Sequence, residues 1–122
     1  FKLINDTYGH NVGDELLVIL AKRLQECIRM SDTVARFGGD EFIILLTGLN
    51  SKDEAALVAQ KVLSQVQTPI QLSACTADVG ASIGIAMYPE DAGSEIELLK
   101  IADSLMYQVK YSGKNSYSFL KK

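Results

Sequence analysis

The stretch RFGGDEF, Arg36 to Phe42, sets the strongest limit on how this chain folds. It lies between two strand-like runs, TVARF before the glycines and EFIILLTG after them. A short Gly-Gly-Asp-Glu connection between two such runs predicts a β-hairpin. The second run is continuously apolar, as in a strand buried on both faces. Its 122 residues are enough for a single domain with a real core. With 48% apolar residues and charges of both signs interspersed, the chain is globular and not disordered.

Further elements follow from periodicity. After a short opening segment, Val12, Leu16, Leu20, Leu24 and Ile28 recur at i+4, with Leu17, Ala21 and Cys27 beside them. They predict a helix over about 12–29. Ser51 and Glu54 have capping-box spacing and open a helix carrying Ala55, Val58, Ala59, Val62 and Val66, which stops before Thr68-Pro69. From Asp78 to Tyr88 large and small residues alternate, which predicts a strand; its Gly80–Ser82–Gly84–Ala86 face implies that something packs very close to it. A second capping box, Ser94 with Glu97, opens a helix with Leu98, Ile101, Ala102, Leu105 and Val109 that ends at Gly113, and SYSFL makes a last short strand. The order α, β, β, α, β, α, β predicts an α+β fold, one largely antiparallel sheet covered by helices.

The formal net charge of −3 offers no broad footprint for a nucleic-acid polymer or an anionic membrane. A polyanionic ligand must therefore be held locally, by a few Lys or Arg, by backbone amides or by a metal. Cys27 and Cys75 form no CxxC pair and read as reduced core thiols of a cytoplasmic domain. No stretch reads as a signal peptide or a membrane span.

Gly38-Gly39-Asp40-Glu41 admits two readings. Glycine amides in a turn can line a phosphate, and adjacent carboxylates favour a hard divalent cation between protein and phosphate. The ordinary alternative is a glycine turn with solvated acids.

RFGGDEF resembles the signature of the GGDEF family, the bacterial diguanylate cyclases. FKLINDTYGHNVGDELL is similar to that family's FKxINDxxGHxxGDxLL block, ASIGIAMYPEDAG to its SIGIAxxPxDG strand and loop, and ADSLMYQVKYSGKNSY to its ADxAMYxAKxxGRNxY helix end. The blocks keep the family's order and cover nearly the whole chain. The resemblance implies a mainly antiparallel five-stranded sheet covered by helices, related to nucleotidyl cyclases and polymerase palm domains. Residues 1–122 would be one such domain lacking its N-terminal strand.

The activity implied is condensation of two GTP into cyclic di-GMP with release of pyrophosphate. It requires a homodimer and Mg2+ (or Mn2+) and is product-inhibited. By matching position Asp40 and Glu41 are the catalytic and metal-binding acids, their base and ligand roles not apportioned. Gly38 and Gly39 wrap the phosphates. Lys2, Lys110 and Lys114 hold the β- and γ-phosphates, Lys2 counting among the catalytic residues. Lys114 stands where the family often has Arg, so it offers a point charge and no bidentate fork. Asn5 and Asp14 match the guanine-reading pair, where a carboxylate accepts from both edge donors of guanine and would meet repulsion at adenine N1. His10 matches a pocket position. Outside the family match, Asn5 is a turn residue, Asp14 a first-turn helix acid and His10 structural. Arg29 and Asp32 form RxxD at the offset of the family's product-binding inhibitory site; the ordinary alternative is a helix-terminal Arg and a turn Asp.

The family's first strand, carrying another metal-binding Asp, precedes the first matched residue. On that ground the 122 residues alone are expected to be catalytically dead and the parent protein active, a sensory domain or a membrane anchor in that parent being left open by these residues. Two rivals remain: an inactive GGDEF module that binds GTP or cyclic di-GMP, and a dimerisation unit with no nucleotide.

Overall fold

A computed structural model describes residues 2–121, apart from the Lys2 side chain. The chain divides into two compact units, 1–49 with 64–79, and 50–63 with 80–122.

The first unit opens with two helices, α1 (Lys2–Tyr8) and α2 (His10–Glu26). The opening segment is thus helical and not merely a lead-in. Its Asn, Asp and Thr residues disfavour helix, so it draws on tertiary support. Ile4 packs against the core, and the Asn5 carbonyl accepts from the Gly9 amide at 2.9 Å. Gly9 turns the chain between the helices with φ 92°. α2 starts two residues earlier than the apolar stripe predicts and ends three earlier. The Cys27 amide reaches back to the Leu24 carbonyl at 3.0 Å, tightening the last turn into 3₁₀ geometry before Ile28. Val12, Leu16, Ile70, Leu72 and Ala77 form the core cluster, with Leu16 and Ile70 sealed from solvent.

Strands β1 (Thr33–Gly38) and β2 (Glu41–Leu45) form the predicted antiparallel hairpin, running from Thr33 opposite Leu45 to Gly38 opposite Glu41. β2 is half-buried at Phe42 to Ile44 and exposed at Leu45, not buried on both faces, and among the described residues it pairs with β1 alone. A second hairpin, β3 (Ile70–Gln71) with β4 (Thr76–Ala77), was not anticipated. The Glu15 carboxylate holds its loop, accepting from the Ser73 amide at 2.6 Å and hydroxyl at 2.7 Å.

Helix α3 (Lys52–Gln67) runs from the second unit into the first. The expected Ser51–Glu54 box is replaced by a longer clasp: Glu54 accepts from the Asn50 amide at 2.6 Å. Its Ala55, Ala59, Val62 and Val66 stripe is buried. The Arg23 guanidinium, in the first unit, donates to the carbonyls of Gln65 (2.9 Å), Thr68 (2.5 Å) and Pro69 (3.1 Å), satisfying acceptors at the α3 C-terminus.

The rest of the second unit is β5 (Ser82–Ile85), α4 (Glu95–Tyr111) and β6 (Ser116–Phe119). The strand expected over 78–88 shrinks to four residues because β6 offers only four partners. β5 and β6 pair in parallel, as strands joined by a helical crossover do. Ser94 caps α4, its hydroxyl accepting from the Glu97 amide at 3.3 Å. Gly113, at φ 123°, follows the last turn, and the Lys114 amide returns to the Val109 carbonyl at 3.1 Å. The small-residue face of β5 does meet a close neighbour: a Cβ on Gly84 would lie 1.9 Å from the Ala102 carbonyl oxygen of α4. The described residues thus show a mixed α/β architecture with three two-stranded sheets, one of them parallel, where one five-stranded antiparallel sheet was expected.

Candidate functional site

The sequence-predicted residues of the first unit gather at three places. The first is the β1–β2 turn. Gly39 has φ 51° and Gly38 φ 149°, conformations that glycine adopts without strain and that a tight hairpin turn needs. Apart from each glycine's own chain neighbours, no atom of the described residues lies within 4 Å of where a side chain on either would begin, so the backbone here is open to an approaching group. Asp40 completes the turn and Glu41 starts β2. No hydrogen bond or ion pair among the described residues engages either carboxylate. Sequence reasoning assigned no role to Arg36, yet its Nε donates to the Gly39 carbonyl at 2.8 Å and so pins the turn. Its place inside RFGGDEF was the available signal.

The second place is the α1–α2 corner. Asn5 lies over Gly13: a Cβ there would fall 1.6 Å from Asn5 Oδ1. That oxygen is buried without a hydrogen-bond partner among the described residues. Asp14, the next residue along α2, is exposed, as is His10 at the start of that helix. The corner therefore sets the Asn5 side chain against Gly13, the residue that precedes Asp14 in α2.

The third place joins Arg29 and Asp32. The Asp32 side chain is only 3% exposed and that of Arg29 60%. Asp32 accepts from the amides of Thr47 and Arg29, both at 3.0 Å, and from Arg29 Nε at 3.5 Å. The Thr47 amide, the Arg29 amide and the Arg29 charge together outweigh burial and hold the carboxyl below its ordinary value. Arg29 also donates to the Thr47 carbonyl. Asp32 thus fastens the loop and orients Arg29, while Arg29 faces solvent.

Lys110 and Lys114 belong to the second unit. Lys110 Nζ stands 6.0 Å from the Tyr107 ring centroid in the last turn of α4, and Lys114 takes φ 63° just beyond it. Lys2 opens α1, but its side chain lies outside the described residues.

Among the described residues no three His, Cys, Asp or Glu side chains converge on a point that could hold a metal ion. Two neighbouring carboxylates at an open turn still suit magnesium, which keeps several waters and takes one or two protein carboxylates with substrate phosphates. No helix among them is long and apolar enough to cross a membrane.

The family model described as "Diguanylate cyclase, GGDEF domain" matches residues 1–116. The chain is 43% identical to the bifunctional diguanylate cyclase/cyclic di-GMP phosphodiesterase MucR of Pseudomonas aeruginosa, over 99% of this chain and 18% of MucR. It is 44% identical to the diguanylate cyclase TpbB of the same species, over 95% of this chain and 27% of TpbB. The crystal structure of the TpbB GGDEF domain superposes with a TM-score of 0.93 at 41% identity, covering 99% of this chain and 76% of that one. A microbial GGDEF domain described in its interaction with cyclic di-GMP matches at TM-score 0.73 and 34% identity, over 98% of this chain and 71% of that one. The chain spans less than a third of the length of either curated relative. With the family model matching almost end to end and this fold shared, the chain belongs to the GGDEF domain family.

Proposed function

We propose that this domain is a diguanylate cyclase that joins two GTP molecules into cyclic di-GMP, each supplied by one of two facing copies. The 3′-oxygen of each GTP attacks the α-phosphorus of the other. A P–O bond forms, the bond to the β-phosphate bridging oxygen breaks, and pyrophosphate leaves, twice per product. In such transfers the protein mainly positions groups and neutralises charge. The open amides of Gly38 and Gly39 approach the phosphates, held in shape by Arg36. Asp40 and Glu41 would hold magnesium, which supplies charge neutralisation and a more acidic attacking hydroxyl. The proton of that hydroxyl passes to one of these two carboxylates.

Asp14 accepts from N1–H and the 2-amine of guanine. Asn5, with its carbonyl oxygen turned inward, has its amino group left to donate to the neighbouring ring nitrogen. Adenine has no 2-amine and carries an acceptor at N1, so it is discriminated against. Product binds at Arg29, which Asp32 and Thr47 keep oriented, and inhibits.

The observation that carries this proposal is the turn itself: open positive-φ glycine backbone followed directly by two carboxylates with no partner among the described residues. The test is to incubate the full-length protein with magnesium and GTP and to identify product by mass spectrometry. Cyclic di-GMP should appear, Asp40→Asn should abolish it, and Arg29→Ala should relieve inhibition by added product. Saturable GTP binding without product would leave a nucleotide-sensing module. The absence of binding would overturn both.

A further inference from the structure

We infer that Gly13 is a positioning residue for guanine recognition, its missing side chain being the seat that fixes the Asn5 amide. This inference rests on the reading of the domain as a guanine-nucleotide binder. Gly13 is the fourth residue of a 17-residue helix, where almost any other residue would favour the helix more. It is buried, and the space its Cβ would take is already filled: Asn5 Oδ1 lies 1.6 Å and Cγ 2.8 Å from that point. Real atoms do not approach so closely, so a side chain at 13 must evict the amide.

The backbone that carries the amide is also tied to the seat. The Asn5 main-chain carbonyl accepts from the Gly9 amide at 2.9 Å, and the Gly9 main-chain carbonyl accepts from the Gly13 amide at 3.2 Å. One chain of main-chain hydrogen bonds thus links the reader to its seat across the helix corner. Asn5 Oδ1 is buried against Gly13 without a hydrogen-bond partner among the described residues. A buried acceptor left unmet is costly, so local folding alone gives little reason to turn the side-chain carbonyl inward. Turned inward, it leaves the amino group as a donor, and Asp14, the residue after Gly13, is an exposed acceptor. That pairing complements guanine's N3 next to its 2-amine.

The experiment measures GTP and ATP affinity by calorimetry, together with melting temperature, for wild type, Gly13→Ala, Asn5→Ala and the double variant. Gly13→Ala should weaken GTP binding about tenfold, one hydrogen bond's worth. The double variant should bind GTP no worse than Asn5→Ala, because Gly13 acts through Asn5. With the collision relieved, the alanine should raise the melting temperature of the Asn5→Ala background by about 4 °C through helix propensity, and by clearly less in wild type. If wild type prefers GTP and Gly13→Ala binds GTP as tightly as wild type does, or the double variant falls a further tenfold, the role assigned to Gly13 is wrong and guanine recognition stands. If wild type does not distinguish GTP from ATP, guanine recognition itself fails and this inference falls with it.

Discussion

Gly84→Ala tests how the second unit is sealed. The new Cβ would stand 1.9 Å from the Ala102 carbonyl oxygen and 2.6 Å from the Met106 amide nitrogen. Both are main-chain atoms of α4, so no side-chain rotation relieves the clash. To restore ordinary contact at 3.4 Å the helix must withdraw from β5 by about 1.5 Å. A gap of even ~1 Å forfeits up to about half of the dispersion attraction across it. Leu105 and Val109, the buried residues of α4, depend on that seam. Overpacking of this kind costs about 1–3 kcal/mol, and two rigid backbones place it at the upper end, about 3 kcal/mol. The entropic gain of replacing a strand glycine offsets less than ~1 kcal/mol. The variant should therefore melt about 8–12 °C below wild type and lose about 1–2 M in urea midpoint. Gly93→Ala is the matched control, because nothing lies within 4 Å of its added carbon and its melting temperature should not move. Thermal and urea unfolding followed by circular dichroism decide the matter. A Gly84→Ala protein melting within about 2 °C of wild type would refute close packing of α4 on β5.

Two further outcomes follow from the first unit. Arg23→Ala removes three charged hydrogen bonds to carbonyls at the end of α3 and should cost about 2 kcal/mol in urea unfolding, with Arg23→Lys recovering only part because an ammonium lacks the planar fork. Asp32→Ala leaves the Thr47 and Arg29 amides unmet and should cost about 1–3 kcal/mol at pH 7. Because the folded Asp32 carboxyl titrates below its unfolded value of 3.8, its stabilisation is whole above that value and is lost as pH falls through the depressed folded one. Urea unfolding of wild type and Asp32→Asn at pH 7, 5 and 3 should show their difference intact at the first two and shrinking at the third.

Elements bounded by their own residues were legible in the sequence. The hairpin follows from a glycine turn between two apolar runs, and α4 from an i, i+3/i+4 stripe behind a serine cap. What escaped was set by partners distant in the chain. α1 carries poor helix formers and depends on Ile4 reaching the core. The β3–β4 hairpin has two-residue strands and a loop tied to Glu15, 58 residues away. The alternation over 78–88 gave the two faces of β5 correctly but not its length, which β6 decides. The site was legible in part. The turn was readable from its own letters, and the roles of Asn5 and Asp14 were expectations from resemblance alone, whereas the burial of Asp32 and the grip of Arg36 on the turn needed coordinates.

The glycines connect fold and function more closely than motif letters suggest, because they divide by what occupies the place of the missing side chain. At Gly13, Gly80 and Gly84 that place is filled, by the amides of Asn5 and Asn115 and by the α4 backbone. Asn115 shows the structural form of the device: its Oδ1 lies over Gly80 and accepts from the Ala81 amide at 3.2 Å, stapling the turn after α4 to the start of β5. Asn5 sits over Gly13 in the same way, but its oxygen finds no such donor. At Gly38 and Gly39 the place is empty and faces outward. A glycine whose vacancy the protein itself fills serves packing and tolerates no added carbon. One whose vacancy stays open leaves the backbone accessible, and a phosphate can approach there. The same letter thus has opposite uses within one unit. Alanine at Gly39 should perturb nucleotide binding through backbone strain alone, whereas alanine at Gly13 acts through the side chain it displaces.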